Sequence, residues 1–160
     1  MKHHKPLIAV KALLVTLALL VLAPPGQAQV QAQAQVVGKV TRVAGLMVAK
    51  GPDGRSRVLA LDSPLRQGDT VTTARNTFGR LEFVDGAILV LQPESLLVLT
   101  RYSYDAAQPQ LDKVELELTQ GGFSSTAGAL AKRSVNATTI TTPAGNLQGS
   151  ASMEVSLRQP

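Results

Sequence analysis

The amino-acid sequence predicts an all-β protein, built as a two-layer sandwich, a roll or a β-helix-like stack of short strands and preceded by an N-terminal signal helix. Short apolar stretches recur along the chain, and several alternate with polar residues, which is the period of a strand with one buried face. Asp-Gly and Gly-Gly pairs, which favour tight turns, separate these stretches. After the leader no segment has a convincing helical period, and residues 127–131 are the one weak candidate.

The N-terminus has the three parts of a secretory signal. Basic residues beginning with Lys2 come first, and an apolar run from Ala12 to Ala23 follows. Gly26 and Ala28 then supply the small residues of a cleavage site. Because the apolar run is short for a bilayer, we expect residues 1–28 to be a signal peptide cleaved after Ala28. An uncleaved membrane anchor is the alternative.

The remaining chain has the size and charge of one ordinary domain. Cutting the 160-residue chain after residue 28 leaves 132 residues, enough for a hydrophobic core. The cut removes three of the 16 basic residues and none of the 11 acidic ones, so the net charge falls from +5 to +2. No basic cluster with interleaved aromatics remains, and we expect no nucleic-acid partner. Cysteine is absent, so the core must stabilise the fold without disulfides.

Composition also divides the mature chain. Residues 29–35 alternate Gln with Val or Ala and predict a flexible leader, whereas residues 36–157 predict the β domain. The first strand segment has apolar residues at alternate positions, predicted to share one buried face: Val36, Val40, Ala44, Leu46 and Val48. Gly45 in this segment indicates a bulge or a close backbone approach.

A β-hairpin is predicted at the centre of the chain. Leu81 and Phe83 alternate with polar residues, and the Asp85-Gly86 pair supplies the turn. Residues 88–91 and 96–99 are apolar on both faces. Two such strands, covered on both sides, predict a second layer.

Turn chemistry predicts where the strands stop. Residues 62–68 and 143–149 are expected to be a loop and a turn, and residues 124–136, rich in Ser, Ala and Gly, a long exposed loop. The residues expected to hold structural turns are Asp53, Gly54, Gly68, Asp69, Asp85, Gly86, Gly121 and Gly122.

The residue types that remain after cleavage exclude the mechanisms of catalysis and the metal sites that require His or Cys. Both histidines lie within residues 1–28, so the mature chain has neither His nor Cys. This excludes Ser-His-Asp and Cys-His catalysis and the common zinc sites. We therefore expect a protein that is not an enzyme and holds no metal or cofactor. A hydrolase that uses paired carboxylates is the alternative.

Two features are candidates for a binding surface. Tyr102 and Tyr104 are two residues apart, so they share one face of a strand and could stack on sugar rings or partner side chains. The alternative is an aromatic pair that supports the sheet. Lys132 and Arg133 on the predicted long loop could contact acidic groups, or they could simply be solvated.

Six short motifs, in order along the domain, resemble a known family. They are VGKV (37–40), RQGDTVTT (66–73), NTFGRLEFVDG (76–86), LVLQPES (89–95), LELTQGG (116–122) and TTPA (141–144). Together they resemble the FecR domain over about residues 36–157. The resemblance implies a β-rich extracytoplasmic domain, which in the best-known members passes an iron-uptake signal from an outer-membrane transporter to an inner-membrane anti-sigma segment.

The signal and the resemblance together predict a periplasmic or secreted, non-catalytic module for interaction or sensing. Its expected partner is another envelope protein, bound through strand edges or loops. A module that binds cell-wall glycan through Tyr102 and Tyr104 is the alternative function. Contact with the membrane is expected only through an uncleaved signal segment.

Overall fold

The computed structural model describes residues 34–149 and 152–157. The predicted signal peptide and most of the predicted leader lie outside these residues. Gln35, the last leader residue, already belongs to the folded part, because its carbonyl accepts a hydrogen bond from the Gln67 N–H at 2.9 Å. Within the described ranges, the chain has no helix that is both long and apolar enough to cross a membrane.

Thirteen strands and one short α-helix make up the described part of the chain. The strands are β1 (Val36–Ala44), β2 (Met47–Lys50), β3 (Ser56–Leu59), β4 (Pro64–Arg66), β5 (Thr70–Thr73), β6 (Phe78–Phe83), β7 (Ile88–Leu91), β8 (Leu96–Ser103), β9 (Lys113–Gln120), β10 (Gly122–Thr126), β11 (Thr138–Thr142), β12 (Gly145–Gln148) and β13 (Met153–Ser156). The helix α1 spans Ala129–Arg133, and a 3-10 turn spans Pro109–Leu111.

The strands form two sheets, which confirms the predicted all-β class. Sheet A has the order β13-β10-β7-β6-β1-β4, and sheet B has the order β12-β11-β9-β8-β5-β2-β3. Neighbours are antiparallel except for β9 and β11, which pair in parallel. The chain leaves sheet B after β9, adds β10 to sheet A, passes through α1 and returns to sheet B as β11.

A single hydrophobic core fills the space between the inner faces of the sheets. In β6 the burial alternates as predicted, with Leu81 and Phe83 inside and Arg80 and Glu82 outside. Aliphatic side chains supply most of the core, and Phe123 is the largest side chain that is fully buried. The free energy of this burial, about 25 cal/mol per Å² of apolar surface, is the main stabilising term in a chain without disulfides.

The first strand departs from its predicted alternation. A β-bulge lies between Val40 and Arg42, where β1 has one residue more than its partner β6. The extra residue reverses the phase of side chains that follow it, because side chains alternate with a period of two. Ala44 is therefore exposed, not buried as predicted. Val36, before the bulge, and Leu46, after the end of the strand, are also exposed and not buried as predicted. Gly45 has a φ of +105° and ends the strand.

Three segments predicted as turns or loops contain regular structure. Within 62–68 the chain forms the edge strand β4, and within 143–149 it forms the edge strand β12. The predicted loop 124–136 contains most of β10 and all of α1. These elements are short. Residues remote in sequence pair with β4 and β10 and hold α1, whereas β12 pairs with the preceding strand β11 in a local hairpin.

The apolar strands β7 and β8 are covered less completely than predicted. Their inward side chains are buried, but Ile88, Val90, Leu96 and Val98 on the outer faces are only half-buried. The predicted second layer is present on one side of each sheet. The outer faces remain open to solvent and are available to a partner.

Candidate functional site

The predicted turn at Asp85 is the centre of a buried hydrogen-bond network. The Asp85 carboxylate accepts hydrogen bonds from the Tyr102 hydroxyl at 2.6 Å and from the backbone N–H groups of Ala87 and Leu130 at 3.1 Å. Gly86 completes the turn with a φ of +79°. The network joins the central hairpin to β8 and to the start of α1.

Tyr102 is therefore a core residue and not part of an exposed platform. It is 3% exposed, and its ring stacks on Phe83 with the ring centres 4.5 Å apart. Burial, reinforced by the hydrogen bond to Asp85, raises the pKa of Tyr102. The hypothesis that Tyr102 offers its ring to a glycan is wrong in this fold, because a ligand on the surface cannot reach it.

Tyr104 and Arg133 also serve the fold. The Arg133 guanidinium lies 4.7 Å from the centre of the Tyr104 ring and donates hydrogen bonds to Asp112 at 2.7 and 2.8 Å. Its hydrogen bonds to Asp112 hold the pKa of that carboxyl below the ordinary value, with a further hydrogen bond from Ser134. Both Arg133 and the neighbouring Lys132 are exposed, but the Arg133 guanidinium is committed to this structural contact.

The other predicted turn residues lie in turns or beside them. Gly54 and Gly68 have φ values of +78° and +84°. The Asp53 carboxylate accepts a hydrogen bond from the Arg55 N–H at 3.1 Å. The Asp69 carboxylate accepts the Arg66 N–H at 2.7 Å and forms a buried ion pair with Arg57 that the sequence did not reveal.

Gly121 and Gly122 carry the chain from one sheet to the other. Gly121 has a φ of +74°, and a Cβ atom there would lie 2.3 Å from the Ser95 hydroxyl oxygen. That hydroxyl accepts the Gly122 N–H and donates to the Gly122 carbonyl, both at 2.9 Å. Ser95 therefore joins the start of β8 in sheet B to β10 in sheet A.

The buried carboxylates give no sign of a paired-carboxylate active site. Asp69, Asp85 and Asp112 are the buried acidic residues of the described ranges, and each is held by hydrogen bonds from arginine, tyrosine or backbone donors. Within those ranges, no three acidic, histidine or cysteine side chains come close enough to hold a metal ion.

An apolar cavity of about 60 Å³ lies beneath α1, between β7 and β9. Phe83, Leu89, Leu130 and Ile140 are among its lining residues. Sites for small organic ligands usually measure about 300–1,000 Å³. The cavity is too small for a sugar ring and is better explained as a packing defect beside the helix.

The outer face of sheet A contains a groove that includes none of the predicted site residues. This shallow groove of about 360 Å³ is lined by residues of β1, β6 and β7, namely Arg42, Ala44, Phe78, Gly79, Arg80 and Val90. Phe78 is 52% exposed, although the phenylalanines Phe83 and Phe123 are buried. An exposed phenylalanine ring beside two arginines consists of residue types that are enriched at protein–protein interfaces.

The two arginines of the groove face each other. Arg42 and Arg80 are directly paired across β1 and β6, and neither side chain has an ion pair or hydrogen bond to another described residue. Like charges in this position repel each other. The bulge in β1 causes the arrangement, because without the extra residue Arg42 would point into the core.

The groove also borders an unpaired strand edge. On the side away from β6, β1 pairs with β4 from Val36 to Lys39. The loop before β4 then exchanges backbone hydrogen bonds with Val40. From Thr41 to Ala44 no described strand lies on that side. The sequence contains one indication of this site, because Thr41 and Arg42 interrupt the alternation of apolar residues. The meaning of that interruption is clear only from the strand pairing.

Comparison with known proteins gives little further guidance. No protein-family model matches the chain, and no curated protein matches it. A solved structure described as "Cell surface anchoring domain" aligns with 39% of this chain and 82% of its own, at 31% identity and a TM-score of 0.38.

Proposed function

We propose that this chain is an exported, non-catalytic domain of the FecR-like kind that binds another envelope protein through the groove on sheet A. The observation that carries the proposal is the Arg42–Arg80 pair, which has no described partner and lies beside the exposed ring of Phe78. Export is supported by the signal-like segment 1–28, and the FecR-like kind by the six sequence motifs.

The non-catalytic part of the proposal is supported by the residues that remain after cleavage. The mature chain lacks His and Cys, and each of its buried carboxylates accepts hydrogen bonds from side chains or backbone groups of the fold. A module of this type acts by presenting a surface, so its activity should depend on outward-facing residues of sheet A and not on any reactive group.

In-cell photo-crosslinking tests the proposal. A photoreactive residue at Ala44 places the probe inside the groove, and the same residue at Thr72 gives a matched control on the exposed outer face of sheet B. We expect a discrete protein adduct from position 44 and none from position 72. No adduct from position 44, equal adducts from both, or an adduct to glycan would contradict the proposal. The mass of the recovered protein shows whether residues 1–28 are removed.

A further inference from the structure

We infer that the groove binds an extended acidic protein segment, which adds as a strand to the free edge of β1 at Thr41–Ala44, the edge on which no described strand pairs. This inference rests on the proposed function and specifies its partner. An acidic side chain of the segment meets Arg42 and Arg80, and an apolar side chain two residues away lies over Ala44 against Phe78.

The charge of the site selects the acidic side chain. Two guanidinium groups on directly paired residues can converge on one carboxylate, and arginine binds carboxylates with two parallel hydrogen bonds. A bound carboxylate also relieves the repulsion between Arg42 and Arg80. The pair is thus complementary to an anion and costs stability in its absence.

The residues on either side of the pair favour a discrete carboxylate over a polyanion. Lys39 is already paired with Asp62 at 3.4 Å, so it adds little free positive charge. Glu82 follows Arg80 by two residues on the same face of β6, and Glu154 lies across the sheet beyond Val90 and Ser124. Surfaces for anionic lipid typically carry about 4–8 basic residues. The carboxylates on either side of the two arginines would repel a continuous phosphate polymer.

The free edge of β1 selects a peptide. Strand addition supplies main-chain hydrogen bonds that only a polypeptide can make, and alternate side chains then read the surface. Neighbouring side chains in adjacent strands are about 5 Å apart. A residue added beside Arg42 therefore reaches the arginine pair. The residue two positions away lies beside Ala44, whose small side chain leaves the way open to Phe78.

Fluorescence anisotropy with the exported protein and a labelled synthetic peptide tests the inference. The peptide has Glu and Leu two residues apart within a Ser/Thr background. One control peptide has Lys in place of Glu, and the other keeps the side chains but carries N-methyl groups that prevent strand pairing. We expect the first to bind at least about tenfold more tightly than either control, with affinity falling as salt increases.

Variants locate the binding. R42E turns the like-charged pair into an oppositely charged pair, so it should weaken peptide binding at least about tenfold while raising the unfolding midpoint. R101E, at an exposed position of β8 in sheet B, is the matched control and should leave binding unchanged. Hydrogen exchange of the Thr41–Ala44 amides should slow when the peptide binds.

Several results would overturn the inference. These are equal binding of the N-methylated or Lys peptide, tighter binding of polyphosphate than of the acidic peptide, or a dimer of this chain that R42E dissociates. Retained peptide binding in R42E would also overturn it. If in-cell crosslinking from position 44 persists while the acidic peptide fails to bind, the proposed function stands and the inference about the partner falls.

Discussion

At the scale of single residues, Asp112 shows how a buried charge holds two remote segments together. Its carboxylate accepts hydrogen bonds from Arg133 and Ser134, which end α1, and Arg133 also donates to the carbonyl of Ala106 at 3.0 Å. The loop after β8 and the helix after β10 are therefore fixed to each other. Arg133 is consequently excluded as a free contact for a partner.

This ion pair predicts a specific dependence of stability on pH. The pKa of Asp112 is lowered in the folded state, so folding is favoured above the ordinary Asp pKa of about 3.9. This contribution is lost as the pH falls through the lowered value, when the folded carboxyl takes up its proton. The stability difference between the wild type and D112N should be constant above about pH 5 and shrink below about pH 4.

Denaturant unfolding of both proteins between neutral and acid pH measures this difference. D62N is a suitable control, because the carboxylate of Asp62 is 69% exposed and its ion pair with Lys39 is on the surface. If the free energies of unfolding of the wild type and D112N, plotted against pH, remain parallel through the acid range, the ion pair with Arg133 does not lower the pKa of Asp112 in the folded protein.

At the scale of elements, α1 depends on the absence of a side chain at the residue before it. A Cβ atom at Gly128 would lie 2.3 Å from a carboxylate oxygen of Asp85 and 2.5 Å from the backbone nitrogen of Ala87. The helix therefore approaches the central turn more closely than any other residue type would permit. A helix of five residues has little stability of its own, so its existence depends on this docking.

G128A should displace α1 from the turn. Overpacking of this kind costs about 1–3 kcal/mol of unfolding free energy. We expect exchange of the Leu130 amide, which donates to Asp85, to accelerate by more than the global loss of stability explains. A129S, at an exposed position of the same helix, is the control. An unchanged Leu130 exchange rate in G128A would mean that close approach is not what holds the helix.

The same elements show how far the sequence could predict this structure. The central hairpin follows from local alternation and Asp-Gly chemistry, and it was predicted with its correct inner face. The bulge at Thr41 and the edge strand β4 are not predicted, because their stability comes from contacts with distant residues and not from local propensity. The helix α1 overlaps the weak candidate at residues 127–131, and docking on the Asp85 turn stabilises it. The edge strand β12 forms a local hairpin with β11, and the predicted turn at 143–149 covered it. The groove depends on the bulge, so it was missed for the same physical reason.

At the scale of the whole molecule, Ser95 links the two sheets where the chain crosses between them. Its hydroxyl satisfies both backbone groups of Gly122, and its own N–H donates to the Thr73 hydroxyl at 2.9 Å. Which sheet each strand joins is decided by such long-range contacts, so the strand order was beyond local sequence patterns. β9 and β10 are consecutive in the chain yet lie in different sheets.

S95A should lower the unfolding free energy by about 1–3 kcal/mol, because the buried Gly122 N–H loses its hydrogen-bond partner. Both sheets should still unfold in one transition, so far-ultraviolet circular dichroism and tyrosine fluorescence should shift together. S56A, at an exposed position in β3, should have little effect. Separate transitions for the two signals would show that the sheets do not fold as one unit.

The crossing from sheet B into sheet A and back also sets the order in which a chain that emerges from its N-terminus can finish folding. β10 covers the edge of β7 and β11 covers the edge of β9, and both follow those strands in the chain. Until they emerge, the edges of β7 and β9 lack the backbone partners that β10 supplies beside Leu89 and β11 supplies beside Leu116. If the chain is exported as proposed, a chaperone that holds these strand edges until β10 and β11 arrive would protect it from self-association.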